Sequence, residues 1–265
     1  MQRNIIDNPS NKDPDHIWIY GRHGVFSVLE NTNRKIYEII YNKKLPMYEK
    51  EISSRLKKIN LAIKPKKANK KEIDKIFFEK KKHQGIVVRC SKLIIPSYEK
   101  IFEKKESSSC NVGLLLDNIT DINNIGAIYR NSFAFNIDFI ISETRNSPLE
   151  NNSLINSACG CYDKIRSYKT KNINLAIKVL KEKNWWIIGL DHNGDLNLKD
   201  FIKAKKHKTK IIFVLGSEGR GIRELIKKNC DIIINIETDK NSQSINVSSA
   251  AAILLYNIKN YLLEG

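Results

Sequence analysis

KIIFVLGSEGRGI, residues 210–222, begins as a run of apolar residues and ends in a loop that carries Gly216, Gly219 and Gly221 around Glu218. Its first half has four counterparts: VGLLLD at 112–117, DFIIS at 138–142, WWIIGLD at 185–191 and CDIIINI at 230–236. All are short, rich in β-branched residues and apolar on both faces, and segments of helical character separate them. That pattern predicts an α/β domain built on a mostly parallel sheet covered on both sides. Ligands of such sheets sit in the loops beyond the carboxyl ends of the strands. The loops to read are therefore those after Asp117, Gly216 and Ile236.

The first, DNITDINNIGAIYRN at 117–131, offers Asn123 and Asn124 as helix N-caps. Arg130 follows Asn124 by six residues, somewhat under two helical turns, which allows both to face the loop mouth. The ordinary role of such a segment is a well-capped helix with a solvated arginine. In the second loop the three glycines permit positive φ and let main-chain groups approach a ligand. Neither G-x-x-x-x-G-K-[ST] nor G-x-G-x-x-G is present, so the phosphate-loop and dinucleotide mechanisms lack their residues. The third, INIETDKNSQSINVSSAAAILLYNI at 234–258, leads into a helix whose first turn holds Asn246, Ser248 and Ser249. Capping is the common role of such residues. Beside Ile245 and Val247 they also suit a ligand with an apolar face and a charged tail.

Upstream, RHGVFSVLEN (22–31) has helical spacing, KIYEIIY (35–41) alternates like a strand, PMYEKEISSRLKKI (46–59) is a basic amphipathic helix and HQGIVVRC (83–90) is strand-like. A smaller α/β module at 16–96 follows, after a tail at 1–15 and before a charged, serine-ended linker at 97–110; the larger domain then occupies 111–265. The chain carries +17, and 25 Lys and Arg against 13 Asp and Glu put +12 of it in residues 1–110. Phosphate backbones attract such charge, although a composition rich in Lys, Asn and Ile supplies part of it without any binding role. Five scattered cysteines fit a reducing compartment. Cys159 and Cys161 lack a second ligand pair nearby, so two small residues packed in a core are expected there rather than zinc. The first fifteen residues hold no signal-like apolar stretch and no run approaches a membrane span, which points to a cytoplasmic protein.

Together, in this order and spacing, the three loops resemble the motifs of the SpoU/TrmH-type methyltransferases. Asn124, Gly126 and Arg130 match N-x-G-x-x-x-R, residues 215–221 match L-G-x-E-G-x-G, and residues 244–248 match S-L-N-V-[SA] with Ile245 in place of leucine. IYGRHGVFSVLE (19–30) and HQGIVV (83–88) look like the first and last parts of the small RNA-binding domain, similar to a ribosomal-protein fold, that precedes the catalytic domain in the branch modifying a guanosine of 23S rRNA.

The resemblance implies a trefoil-knotted carboxyl-terminal domain and a homodimer. It implies S-adenosylmethionine as cofactor, held by the main chain at Gly216, Ile236 and Ile245 with Gly219 in the same loop, and no metal. It also implies methyl transfer to a ribose 2'-hydroxyl of RNA, with Arg130, Asn124, Glu218, Asn246 and Ser248 on the substrate side. A guanidinium rarely accepts a proton, so Arg130 is read as a phosphate clamp and electrostatic stabiliser, with an RNA phosphate as proton acceptor. Two alternatives stay open: a transfer RNA substrate, and a catalytically silent RNA-binding or ribosome-assembly protein on the same fold.

Overall fold

The computed structural model describes residues 15–77, 81–103, 111–204, 210–239 and 244–260. Nearly all of the tail expected at 1–15, the second half of the linker expected at 97–110, and Cys110 lie outside the described residues.

In chain order, β1 (His16–Tyr20), α1 (Arg22–Glu30), β2 (Ile36–Asn42), α2 (Met47–Lys58), β3 (Lys66–Ala68), α3 (Lys70–Asp74) and β4 (Ile86–Ser91) form a first unit. Its sheet has the order β1-β4-β2-β3. A second unit begins at residue 95, with β5 (Asn111–Leu116), α4 (Ile122–Ala134) and β6 (Phe139–Glu143). The chain then returns to the first unit for residues 150–164, which contain α5 (Asn152–Ser157). β7 (Arg166–Thr170), α6 (Ile173–Glu182), β8 (Trp186–Leu190), β9 (Leu196–Asn197), α7 (Leu198–Lys203), β10 (Lys210–Leu215), α8 (Glu224–Asn229), β11 (Ile232–Asn235) and α9 (Val247–Ile258) complete the second.

The second sheet is parallel throughout, in the order β7-β6-β5-β10-β8-β11-β9. Each apolar run read from the sequence is one of its strands. All of its α-helices but α8 start where asparagine or aspartate side chains cap them, Asp121 for α4, Asn172 for α6, Asn197 for α7 and Asn246 for α9. On α6 the residues Ile173, Ala176, Ile177 and Leu180 recur at helical spacing and are all buried, in one core with Phe139 and Tyr168 from the sheet and Trp185 just before β8. Tyr98, within the stretch read as linker, belongs to the same core: residues 98–103 form a 3-10 helix and Tyr98 is buried.

The sequence pattern puts residues 150–164 in the larger domain at 111–265, whereas in the structure they pack within the first unit. Leu154, Ile155 and Tyr162 of this segment are buried, and a buried charge ties it in place. Arg34 has a side chain with no exposed surface, and its guanidinium meets Asp163 through Nε and through Nη2 at 3.2 Å, Glu150 at 2.6 Å and the Ser91 carbonyl at 2.9 Å. Burial works against that charge, but the two carboxylates outweigh it and raise the Arg34 pKa. Asn31 donates to Asp163 at 2.9 Å and Ser27 donates to the Gly160 carbonyl, so one short segment closes several polar groups at once. The expectation of two core cysteines fails here. Cys159 stands exposed at φ 48° in the turn after α5, and Cys161 is half-buried.

Removing Arg34 strands two carboxylates in a buried site. Arg34→Ala is therefore expected to cost about 3–5 kcal/mol in urea unfolding; a loss under about 1 kcal/mol would show the site opens readily to water. Burial also pushes the Cys90 and Cys230 thiols up to about 12. Iodoacetamide at pH 8 with peptide mapping is expected to label Cys159 well before either, because the thiolate is the reacting form; equal rates would contradict the burial.

Candidate functional site

β10 lies between β5 and β8, in register with β5 from Lys210 opposite Asn111 to Leu215 opposite Leu116. The loops after β5, β10 and β8 therefore leave the sheet side by side at its carboxyl edge, next to the loop after β11.

Two buried carboxylates fix the glycine-rich loop. Asp117 accepts from the Arg223 backbone N–H at 2.9 Å and from Arg223 Nε at 2.7 Å, and Arg223 Nη2 reaches Glu143 at 3.2 Å. Burial opposes the Arg223 charge, but Asp117 and Glu143 outweigh it, so its pKa is raised. On the other side Asp191 accepts from the N–H groups of Asn193 and Ile222, each at 3.2 Å, and meets Lys227 Nζ at 3.1 Å. Burial alone would push the Asp191 carboxyl up; the hydrogen bonds from Asn193, Lys227 and Ile222 hold it below the ordinary carboxylate range. Sequence reading passed over Asp117, Asp191, Arg223 and Lys227. Asp117 and Asp191 did carry a signal, since each is the first charged residue after an apolar strand.

Within the loop Gly216 has no room for a side chain, because a Cβ would stand 2.2 Å from the Gly221 carbonyl carbon. Gly219 has φ 83°, and a Cβ there would meet open space. Beside them is a cavity of ≈ 460 Å³ whose lining includes Leu190, Leu215, Gly216, Glu218, Gly219, Ile236, Ile245 and Val247. All four residues expected to hold the cofactor thus border one cavity. Its size suits a small organic ligand, and its mixture of apolar side chains and loop main chain suits an aromatic ring with a polar edge.

At the rim three side chains from distant segments converge. Asn124 Nδ2 donates to Glu218 Oε1 at 2.9 Å, Asn246 Nδ2 donates to Asn124 Oδ1 at 3.0 Å, and Asn246 Nδ2 also donates to Glu218 Oε1. Asn246 is at the same time the cap of α9. Its Oδ1 accepts from the N–H groups of Ser248 and Ser249 at 2.8 and 3.4 Å and from Ser248 Oγ at 2.6 Å. Asn131 joins by donating to the Ser248 carbonyl at 3.1 Å.

Two details differ from the sequence reading. The cap of α4 is Asp121, which accepts from the Asn124 N–H at 2.9 Å, rather than Asn123 or Asn124. Asn124 is thereby inside the helix, buried, with its side chain released for Glu218. Arg130 does not face the same way: six residues of helix turn about 240° past Asn124, and Arg130 is exposed, its side chain making no hydrogen bond or ion pair among the described residues. Among the described residues there is no cluster of three or more His, Cys, Asp or Glu placed to hold a metal, and no helix long and apolar enough to cross a membrane.

Comparison with known proteins matches residues 111–256 to the SpoU rRNA Methylase family and residues 18–96 to the RNA 2'-O ribose methyltransferase substrate binding family. An uncharacterized tRNA/rRNA methyltransferase of Borreliella burgdorferi is 35% identical over 84% of this chain and 97% of its own. The 23S rRNA (guanosine-2'-O-)-methyltransferase RlmB of Blochmanniella floridana is 29% identical over 90% of this chain and 92% of its own. The SpoU methyltransferase AviRb of Streptomyces viridochromogenes, solved in complex with AdoMet, shares the fold with a TM-score of 0.74 at 15% identity, covering 95% of this chain and 92% of that one.

The contact between Gly216 and Gly221 is backbone against backbone, so no rotamer change relieves it. Gly216→Ala is expected to destabilise the chain by about 1–3 kcal/mol in urea unfolding. A cost under about 0.5 kcal/mol would mean that Asp117 and Asp191 do not hold the loop rigid.

Proposed function

The chain belongs to the SpoU rRNA Methylase family, and on that premise we propose that it transfers a methyl group from S-adenosylmethionine to the ribose 2'-hydroxyl of a guanosine in 23S rRNA. The observation that carries this reading is the Asn124, Glu218 and Asn246 cluster at the rim of the ≈ 460 Å³ cavity. It joins a substrate-facing polar group to a pocket that fits the cofactor.

Gly216, Gly219, Ile236 and Ile245 would hold S-adenosylmethionine, whose adenine suits the apolar lining from Leu190, Leu215 and Val247. When bound, the cofactor supplies an electrophilic methyl group on a sulfonium centre. The chain's part is to position a weak nucleophile and stabilise the charge that develops on it. Glu218 Oε1 is occupied by both asparagines, while its other oxygen has no partner among the described residues. That oxygen can accept from a ribose hydroxyl and aim the 2'-oxygen. Asn124, Asn246 and Ser248 keep the carboxylate in place. Arg130, exposed on a face of α4 turned away from Asn124, serves as a clamp on a phosphate of the same RNA, and an RNA phosphate takes the 2'-hydroxyl proton.

The choice of 23S rRNA leans on the RlmB relatives of Blochmanniella floridana and Coxiella burnetii, which align with 90% and 91% of this chain. A transfer RNA target is the competing reading, since the Borreliella relative is named for both RNAs. A homodimer and the trefoil knot belong to the same proposal. Phe133 on α4 and Ile253 and Tyr256 on α9 are exposed apolar side chains on two helices that pack together, which gives a second copy a surface to cover. The setting proposed is the cytoplasm.

Mapping 2'-O-methyl positions in 23S and transfer RNA, with and without the chain, tests the reading directly; no change in either would sink it. Arg130→Ala is expected to lower turnover by at least about 100-fold while S-adenosylmethionine affinity by calorimetry stays within a few fold. Weakened cofactor binding with normal turnover would reverse the roles assigned to cavity and rim.

A further inference from the structure

The sheet of the first unit has two unlike faces. Ile19, Val88 and Ile39 are in register on β1, β4 and β2 and fully buried on the side that α1 covers. On the opposite face the same three strands align Trp18, Arg89 and Glu38. The β2 register shifts between Ile36 and Glu38, so Tyr37 is the additional residue of a β-bulge. Strict alternation from the buried Ile36 would turn Glu38 inward and Ile39 outward. With the bulge, Tyr37 and Glu38 stand together on the outer face and Ile39 returns to the core. The disrupted ladder is offset by nothing else visible in the strand; what it delivers is an aromatic ring beside Trp18 and Arg89.

Flat and cationic groups surround that ring. His16 lies 4.0 Å from Tyr37 between ring centroids, and Lys35 Nζ lies 5.4 Å from the Tyr37 centroid. The Arg89 guanidinium carbon is 5.9 Å from the centroids of both Trp18 and Tyr37. Arg89 Nε is buried with no hydrogen-bond partner. Glu38, the carboxylate of this patch, is already answered by Lys66 at 2.7 Å and by Arg89 at 3.7 Å. Trp18, Tyr37 and Arg89 are each only partly buried.

We propose that Trp18, Tyr37 and Arg89 form a stacking platform for unpaired bases of the RNA, an inference that rests on the RNA-directed activity proposed above. A duplex offers proteins its phosphates and 2'-hydroxyls and hides the faces of its bases. Only splayed, single-stranded nucleotides can lie on aromatic rings and guanidinium planes. Lys35 and Arg89 then meet the phosphates beside the stacked bases, in the half of the chain that carries +12. Stacking is tolerant of base identity, so this face grips the strand without choosing the nucleotide.

The test measures binding of the full chain to a fluorescein-labelled single strand of about 10 nucleotides and to a duplex of equal length, by anisotropy over a salt series. Tyr37→Ala is expected to weaken single-strand binding by roughly 5- to 100-fold. Its salt slope, duplex affinity and thermal midpoint should match those of the unaltered chain, and Tyr37→Phe should bind normally. Lys35→Ala should instead flatten the slope by about 0.7. Should Tyr37→Ala fail to fold, tryptophan quenching by the single strand, present in the unaltered chain and lost in Trp18→Phe, decides the question. Unchanged affinity in folded Tyr37→Ala, equal losses on single strand and duplex, or quenching that persists in Trp18→Phe would each overturn the platform. If the platform behaves as expected but no 2'-O-methyl forms, it is the methyltransferase reading that falls.

Discussion

β10 is the strand on which the arrangement depends. It is hydrogen-bonded on both sides, to β5 and to β8, although more than 90 residues separate it from the first. Because the pairing is parallel, its carboxyl end lies level with theirs. The loop carrying Glu218 must then run beside the loop that leads into α4 and Asn124. A six-residue strand whose five apolar residues are all buried has no other stable place than a sheet centre. The polar chemistry at the rim is thus positioned by hydrophobic burial beneath it.

What turns adjacency into geometry is a division of labour among short polar side chains. Asp121 caps α4, which leaves Asn124 free to reach across to Glu218. Asn246 uses its oxygen to cap α9 and its amide nitrogen to bind the other two, so the start of a helix and the wall of a site are one residue. Asp117 and Asp191 hold the far side of the glycine loop by bonding backbone N–H groups rather than by side-chain pairing alone. Removing any of these groups would leave a buried or half-buried polar partner unsatisfied, which costs more than the bond itself contributes.

Much of this was legible in the sequence for physical reasons. The five apolar runs could be read because four of the strands are buried on both faces and β11 is at least half-buried. β7, with Tyr168 and Thr170 inward and Lys169 between them, escaped because its signal is alternation over only five residues. The abundance of asparagine, open to reading as compositional bias, is spent structurally: Asn69, Asn151, Asn172, Asn197 and Asn246 are caps, and Asn60, Asn118, Asn136 and Asn184 take positive φ. Which of several neighbouring caps is used was not legible, because Asp121, Asn123 and Asn124 all qualify. The orientation of Arg130 failed for a simpler reason: counting turns between residues says how far apart they lie along the axis and nothing of the angle between them. Nor does sequence order reveal that Arg34 finds its carboxylates more than 110 residues later.

That last pairing has a consequence for how the chain comes into being. The first unit is contiguous to residue 94 and then lacks its final piece until residues 150–164 have been made. At ribosomal speeds of about 5–20 residues per second, the interval is roughly 4–14 seconds. Throughout it Arg34 is without Glu150 and Asp163, and the surface of α1 around Gly24 is without Ile155. The amino-terminal sheet can gather but cannot close, so the nascent chain carries an unfinished module while the first strands of the next are already emerging. Folding of the two units is interleaved in time by the path of one short helix, and a pause in translation just before it would prolong the state in which that surface is open to other chains.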